Sequence, residues 1–228
     1  MDLFSSRPQD SRFIAILLGF VGGATDVYSH LQFESLVATQ TGNIILMVSN
    51  IVEGRWGVFF GKLVSIIFFT LGFLLGIVVK ERAKSAYWRV YTVLPLFFST
   101  LVIPFLPPIN LLWIIILAFS SGLIILTFTG SRIESEPYVI MMTSGNYRRM
   151  LQSWYVYLID HKKNPVLKRK AINYSYVVLS FVVGALASAW LYHLIKVQSI
   201  WLVTLALALV LILYIYATER YQLHKSNR

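Results

Sequence analysis

The sequence predicts an all-α membrane protein. It has six transmembrane helices as two inverted three-helix repeats, with re-entrant or broken helices after spans one and four. Three observations predict this. Of the 228 residues, 57% are hydrophobic and only 13% charged, where a soluble domain carries about 25% charged residues. The basic residues divide unequally between alternate connections. The second half of the chain also repeats features of the first.

The spans come first. A helix needs about 20 mostly apolar residues to cross a bilayer, and lipid offers backbone groups no hydrogen bonds. The six apolar runs are residues 13–28, 57–79, 90–106, 109–130, 171–194 and 199–217. The alternating hydrophobicity of a membrane barrel is absent. Two connectors, 35–52 and 137–159, are largely apolar yet too short to cross, and they occupy matching places after spans one and four. That is the pattern of re-entrant or broken helices. Pro95, Pro104, Pro107 and Pro108 mark a kink and a tight outer turn.

Orientation follows from charge. With the N-terminus cytoplasmic, 17 of the 20 Lys and Arg residues fall inside; only Arg55, Lys62 and Lys196 fall outside. The positive-inside rule therefore puts both termini in the cytoplasm. Trp56, Trp113, Trp190 and Trp201 sit at outer span ends, and Trp88 and Tyr221 at inner ones. A net charge of +10 would suggest nucleic acid in a soluble protein. Here the charges lie between apolar runs, so no nucleic-acid partner is expected. The polar opening, with no small-residue cleavage site, does not read as a secretory signal peptide. With no cysteine, disulfide and thiolate chemistry are excluded.

The repeat is visible in three places. Leu71-Gly72-Phe73-Leu74-Leu75-Gly76 matches Leu179-Ser180-Phe181-Val182-Val183-Gly184 at an offset of 108, and Lys62 falls on Lys170 at the same offset. Thr41-Gly42-Asn43 matches Ser144-Gly145-Asn146 at an offset of 103. The repeats are 1–108 and 109–228, together one membrane domain. Three spans per half is an odd number, so the second half enters the membrane from the opposite side. Secondary transporters of this design place their site near the midplane, where the repeats meet.

The candidate substrate-binding residues are Asp26, Thr41, Gly42, Asn43, Ser144, Gly145 and Asn146. A carboxylate inside a span is costly and usually faces a cavity or partner. The alternative is that span one ends near Ala24 and Asp26 is interfacial. Each Gly-Asn motif combines a hydroxyl cap, a glycine and an amide at a helix start. Free N–H groups and the helix dipole there favour an anion or polar acceptor. The bland alternative is an ordinary helix start in a loop. The expected arrangement is a half-helix beginning at Thr41-Gly42-Asn43, its amides facing an internal cavity that also holds Asp26.

Gly19 with Gly23, Gly57 with Gly61, and Gly72 with Gly76 form small-residue faces for close helix packing. Residues 147–159 read as an interfacial helix. Followed by Lys162, Lys163, Lys168, Arg169 and Lys170, it suits anionic lipid, or else it reflects topology alone. His30, His161, His193 and His224 lack metal-ligand spacing, and no recognised catalytic motif occurs. Neither an enzyme, a metal nor a cofactor is expected.

Gly22-Gly23-Ala24-Thr25-Asp26, followed about fifteen residues later by Thr41-Gly42-Asn43, resembles the YoaK family of small bacterial membrane proteins of uncharacterised function. The likeness covers nearly the whole chain. Ser144, Gly145 and Asn146 match the family's second-half motif approximately. Family members often carry a Gln-Asn pair after the glycine of span four. Here Leu123-Ile124 follows Gly122, so that polar contribution is not expected. The resemblance implies a bacterial cytoplasmic membrane and supplies no substrate.

The expected function is transport of a small polar or anionic solute by alternating access, with Asp26 available for proton coupling. Its rivals are a passive channel and a membrane scaffold or lipid-binding protein. Membrane lipids, anionic ones included, and a small solute are the expected partners. The sequence leaves homo-oligomerisation open.

Overall fold

The apolar runs become helices, and the helices formed by the first, second and fifth runs extend further than hydropathy alone marks. The computed structural model describes residues 7–107, 109–134 and 136–223. Pro108 of the outer turn, and His224, Lys225 and Arg228 near the C-terminus, lie outside the described residues. Within them are eight α-helices: α1 (Arg12–Phe33), α2 (Gln40–Val52), α3 (Trp56–Arg82), α4 (Trp88–Val102), α5 (Asn110–Thr127), α6 (Ser144–Ile159), α7 (Pro165–Ile195) and α8 (Trp201–Arg220). A two-residue antiparallel ladder, Arg132–Ile133 with Glu136–Pro137, lies between α5 and α6.

Helix α1 runs through Asp26 instead of stopping at Ala24, because its polar side chains find partners locally. The Thr25 hydroxyl donates to the Val21 carbonyl at 2.6 Å, and Ser29 donates to the Asp26 carbonyl at 3.1 Å. Such back-bonding keeps hydroxyls satisfied inside a helix. The helix ends at Glu34, which is left-handed at φ 56° and donates its N–H to the His30 carbonyl. Helix α7 begins six residues before the expected start of its span. Pro165 occupies its first turn, and the Asn164 side chain accepts from the Val166 N–H at 2.9 Å. Both are helix-start chemistry. Lys168, Arg169 and Lys170 thus belong to the helix. At 31 residues, α7 spans about 46 Å, well beyond a hydrocarbon core of about 30 Å. Its basic first turns therefore lie beyond the apolar layer.

Among the described residues, five helical segments are long and apolar enough to cross a membrane: Arg12–Phe33, Trp56–Arg82, Trp88–Phe105, Asn110–Thr127 and Pro165–Arg220. The last contains α7 and α8, joined by a 3-10 turn over Lys196–Ile200 in which Lys196 has φ 50°. The fold is that of a multi-pass membrane protein. The apolar windows of α1 and α5 are each 67% buried, that of α3 only 22%. Hence α1 and α5 form the centre, and α3 turns Phe60, Ile67, Leu71 and Leu74 outward.

The helices pair across the two halves of the sequence. Helix α1 lies along α7, and α3 along α5. Helix α2 rests on α3 and α6 on α7, while α4 meets α5 and α8, and α8 meets α1. Glycine permits the two closest pairings. A Cβ on Gly23 would fall 2.0 Å from the Phe181 carbonyl oxygen, and one on Gly184 would fall 2.2 Å from that of Phe20. In the other pair, a Cβ on Gly72 would meet the Phe119 oxygen at 2.0 Å, and one on Gly122 the Phe69 oxygen at 2.2 Å. Small residues drive such backbone approach in membranes. The expected packing role therefore holds for Gly19, Gly23, Gly72 and Gly76. It fails for Gly57, which has nothing within 4 Å, and nearly so for Gly61, which only grazes Ile114.

Ion pairs fasten the start of the bundle. Glu134 binds Arg12 of α1 at 3.0 Å and Arg169 of α7 at 2.6 Å. Asp10 accepts from the Arg132 N–H at 2.7 Å.

Candidate functional site

After α1 stops at Glu34, the chain folds back as a short bent segment before α2. Three consecutive amides of that segment point at one carboxylate. Asp26 accepts from the N–H groups of Val37 (3.1 Å), Ala38 (2.8 Å) and Thr39 (3.1 Å), and also from the Thr39 hydroxyl. Successive N–H groups converging in this way form an anion nest, and the positive end of α2 adds to it. Asp26 is only 4% exposed. The anion drawn to this helix start is therefore the protein's own side chain.

Asn43, fully buried, holds the same segment from the other side. Its Oδ1 accepts from the Leu36 N–H at 2.9 Å and its Nδ2 donates to the Leu36 carbonyl at 2.6 Å. A side-chain amide thus pairs with a backbone peptide as a neighbouring strand would. Ser65 of α3 also donates to the Leu36 carbonyl at 2.7 Å, and Lys62 donates to the Glu34 carbonyl. Lys62 is only 3% exposed. At the open end of this region, Arg55 pairs with Glu34 at 2.5 Å and holds its carboxyl below the usual carboxylate range.

The second half uses the same lock. Asn146 accepts from the Val139 N–H at 2.9 Å and donates to the Val139 carbonyl at 2.5 Å and to that of Met142 at 3.1 Å. Leu36 and Val139 differ by 103, as do Asn43 and Asn146. The carboxylate is not repeated. At that offset Asp26 falls on Thr129, whose hydroxyl bonds the Ile125 carbonyl at 2.6 Å. The second segment reaches α1 instead. Met141, buried and left-handed at φ 52°, lies so close to Gly22 that a Cβ there would fall 2.3 Å from its Cα. Gly22 and Asp26 are one turn apart, so both segments bear on one stripe of α1.

The sequence-predicted residues are thus divided. Asp26, Asn43 and Asn146 are buried and bonded within the chain. Thr41 and Ser144 are exposed at the surface of α2 and α6 and cap nothing. The helices start at Gln40 and Ser144, so Thr39 and Thr143 occupy the cap positions, and neither caps through its side chain. Gly42 and Gly145 pack beside Leu36 and Val139. Cavities open among the described residues at several places. One of about 580 Å³ lies between α6 and α7, one of about 350 Å³ at the C-terminal end of α1 beside Gln32, Trp113 and Lys196, and one of about 290 Å³ near Arg12 and Arg169. None of these three is lined by Asp26 or either Gly-Asn motif. At Asp26 itself, the amides of segment 37–39 meet the carboxylate.

Residues 14–213 match the model of a family described as protein of unknown function, DUF1275. The chain belongs to the DUF1275 family. The match spans the central helices, both non-helical segments and all seven sequence-predicted site residues. It agrees with the YoaK resemblance, since YoaK-like proteins are DUF1275 members. No curated protein and no solved structure matches this DUF1275 chain. Sequence reading missed four contributors to this DUF1275 chain's polar network. Lys62 was placed on the outer surface, although a cation six residues beyond Trp56 in an apolar run is a warning of burial. Ser65, and Arg149 with Tyr174 on Pro137, carried no sequence signal.

Proposed function

We propose that this chain is an integral membrane transporter of a small polar or anionic solute. In this reading six spans form two inverted three-helix repeats, and one body rocks against the other. The observation that carries the reading is the reciprocity of the packing. Exchanging α1–α4 with α5–α8 turns every pairing given above into another pairing of the same set. Each half also contributes one short helix whose entry segment is locked by an asparagine. The solute path runs along the α1 stripe from Gly22 to Asp26, where both segments meet. The outer cavity beside Gln32 and Lys196 is its vestibule. Asp26 shapes the path by holding segment 37–39, and breaking that hold on protonation provides the coupling.

Spin labels test the rocking without a known solute. Pairs are placed across the outer vestibule (Gln32→Cys with Gln198→Cys) and across the inner end (Arg7→Cys with Lys168→Cys), in proteoliposomes carrying a proton gradient of either sign. Alternating access requires the outer and inner distances to change in opposite senses. A single unchanging distance distribution at both ends, under both gradients, overturns the proposal.

A further inference from the structure

One cavity lies apart from the α1 stripe, where α6 meets the start of α7. Its volume of about 580 Å³ is that of a ligand site, since such pockets run from about 300 to 1,000 Å³. Its polar wall is chemically mixed. Arg149 and Lys170 supply two cations, Glu136 one carboxylate, and Ser153 and Tyr174 two hydroxyls. The Arg149 guanidinium is oriented by a bond to the Pro137 carbonyl, which also accepts from the Tyr174 hydroxyl at 2.8 Å. Lys170 pairs with Glu136 at 2.9 Å. The wall therefore keeps one uncompensated positive charge, fixed in place, with further guanidinium N–H groups directed to no acceptor among the described residues.

The rim is apolar. Val156 and Leu167 line it, together with the ring of Tyr155. Beyond it α6 turns Leu151, Leu158 and Ile159 outward. A site with a basic floor and a greasy lip, on the side bearing most of the chain's positive charge, suits an amphiphile whose polar end is an anion. Glu136 adds a demand of its own, because a carboxylate beside a phosphate calls for a hydrogen-bond donor on the headgroup, and a hydroxyl is one that adds no charge.

We infer that this cavity binds the headgroup of an anionic phospholipid, its phosphodiester on Arg149 and Lys170 and a headgroup hydroxyl on Glu136, with the acyl chains over the apolar face of α6. A phosphoglycerol type of headgroup supplies such a hydroxyl, and choline, which has no O–H or N–H donor, is a poor fit. The inference does not rest on transport.

The detergent-solubilised full chain is titrated with dioleoyl phosphatidylglycerol, dioleoyl phosphatidylcholine and soluble glycerol 3-phosphate, with bound lipid read by native mass spectrometry. Phosphatidylglycerol is expected to bind at least about tenfold tighter than phosphatidylcholine. Arg149→Gln and Lys170→Gln are each expected to lose about five- to tenfold of that affinity, the weight of one charge-assisted contact. Glu136→Gln, which removes a negative charge, is expected to keep or raise phosphatidylglycerol affinity. A merely structural role for the cluster would lower it in all three variants. Arg148→Gln, on the same helix but outside the cavity, is expected to bind as the parent does. Equal binding of the two lipids overturns the inference. So does an Arg148→Gln loss equal to that of Arg149→Gln, which would indicate diffuse surface charge, or displacement of lipid by equimolar glycerol 3-phosphate.

Discussion

Asn43 and Asn146 each give a side-chain amide to a backbone peptide seven residues upstream. The pairing matters because a non-helical segment buried in a helical bundle has no neighbouring strand. Its N–H and C=O must find partners elsewhere, and leaving either unpaired costs about 1–3 kcal/mol. Asn43→Ala should therefore destabilise the protein by about 2–4 kcal/mol, and Asn146→Ala by a similar amount. Asp26→Asn replaces an anion that accepts from three amides with a neutral group, at a cost of about 3–5 kcal/mol. All three variants should melt well below the parent in the same detergent. If either alanine variant melts with the parent, the asparagine lock is not what holds these segments. Transport assays on the same variants are informative only alongside these melting data.

At the scale of helices, two glycine-mediated pairings hold the centre. They make opposite forecasts for glycines that look alike in sequence. Gly23→Leu and Gly122→Leu push a side chain into a facing backbone, which cannot retract as a flexible side chain can, and each should cost more than about 3 kcal/mol. Gly57→Ala meets open space and should be neutral or stabilising by up to about 1 kcal/mol. A melting series would overturn the packing account if Gly57→Ala were the most damaging of the three. Helix existence was legible because apolar runs have length, and each run from 13–28 to 199–217 coincides with a helix to within a few residues at its ends. The partners of those helices were not legible. Gly184 sat in the recognised repeat, but nothing in the hexamer says it will face Phe20. The environment of Asp26 was hidden for a related reason. The groups that meet it from residues 37–39 are mostly backbone N–H, which every residue but proline owns. Residue type therefore carries no mark of them.

Across the whole molecule, the charge distribution argues for a direction in the membrane that packing alone does not. The ion pairs of Glu134 with Arg12 and Arg169 belong to the end that the positive-inside rule assigns to the cytoplasm. Glu34 with Arg55 belongs to the other end. The cysteine-free chain makes this easy to check. Lys84→Cys and Lys163→Cys should react with a membrane-impermeant maleimide only in inside-out vesicles, and Arg55→Cys and Lys196→Cys only in right-side-out ones. Reaction of the 84 or 163 variant from outside would reverse the orientation.

The pairing of α1 with α7 has a consequence for how the chain is made. About 130 residues separate the end of α1 from the start of α7. At a synthesis rate of about 5–20 residues per second, α1 waits roughly 7–26 s for its partner. During that interval its glycine face is bare to lipid or to the insertion machinery. Its acid is not, because residues 37–39 emerge directly behind the helix and wrap the carboxylate at once. The chain thus separates two tasks in time. Neutralising the one costly group in the first span is local and early, whereas assembly of the central helix pair is deferred until most of the protein has been synthesised.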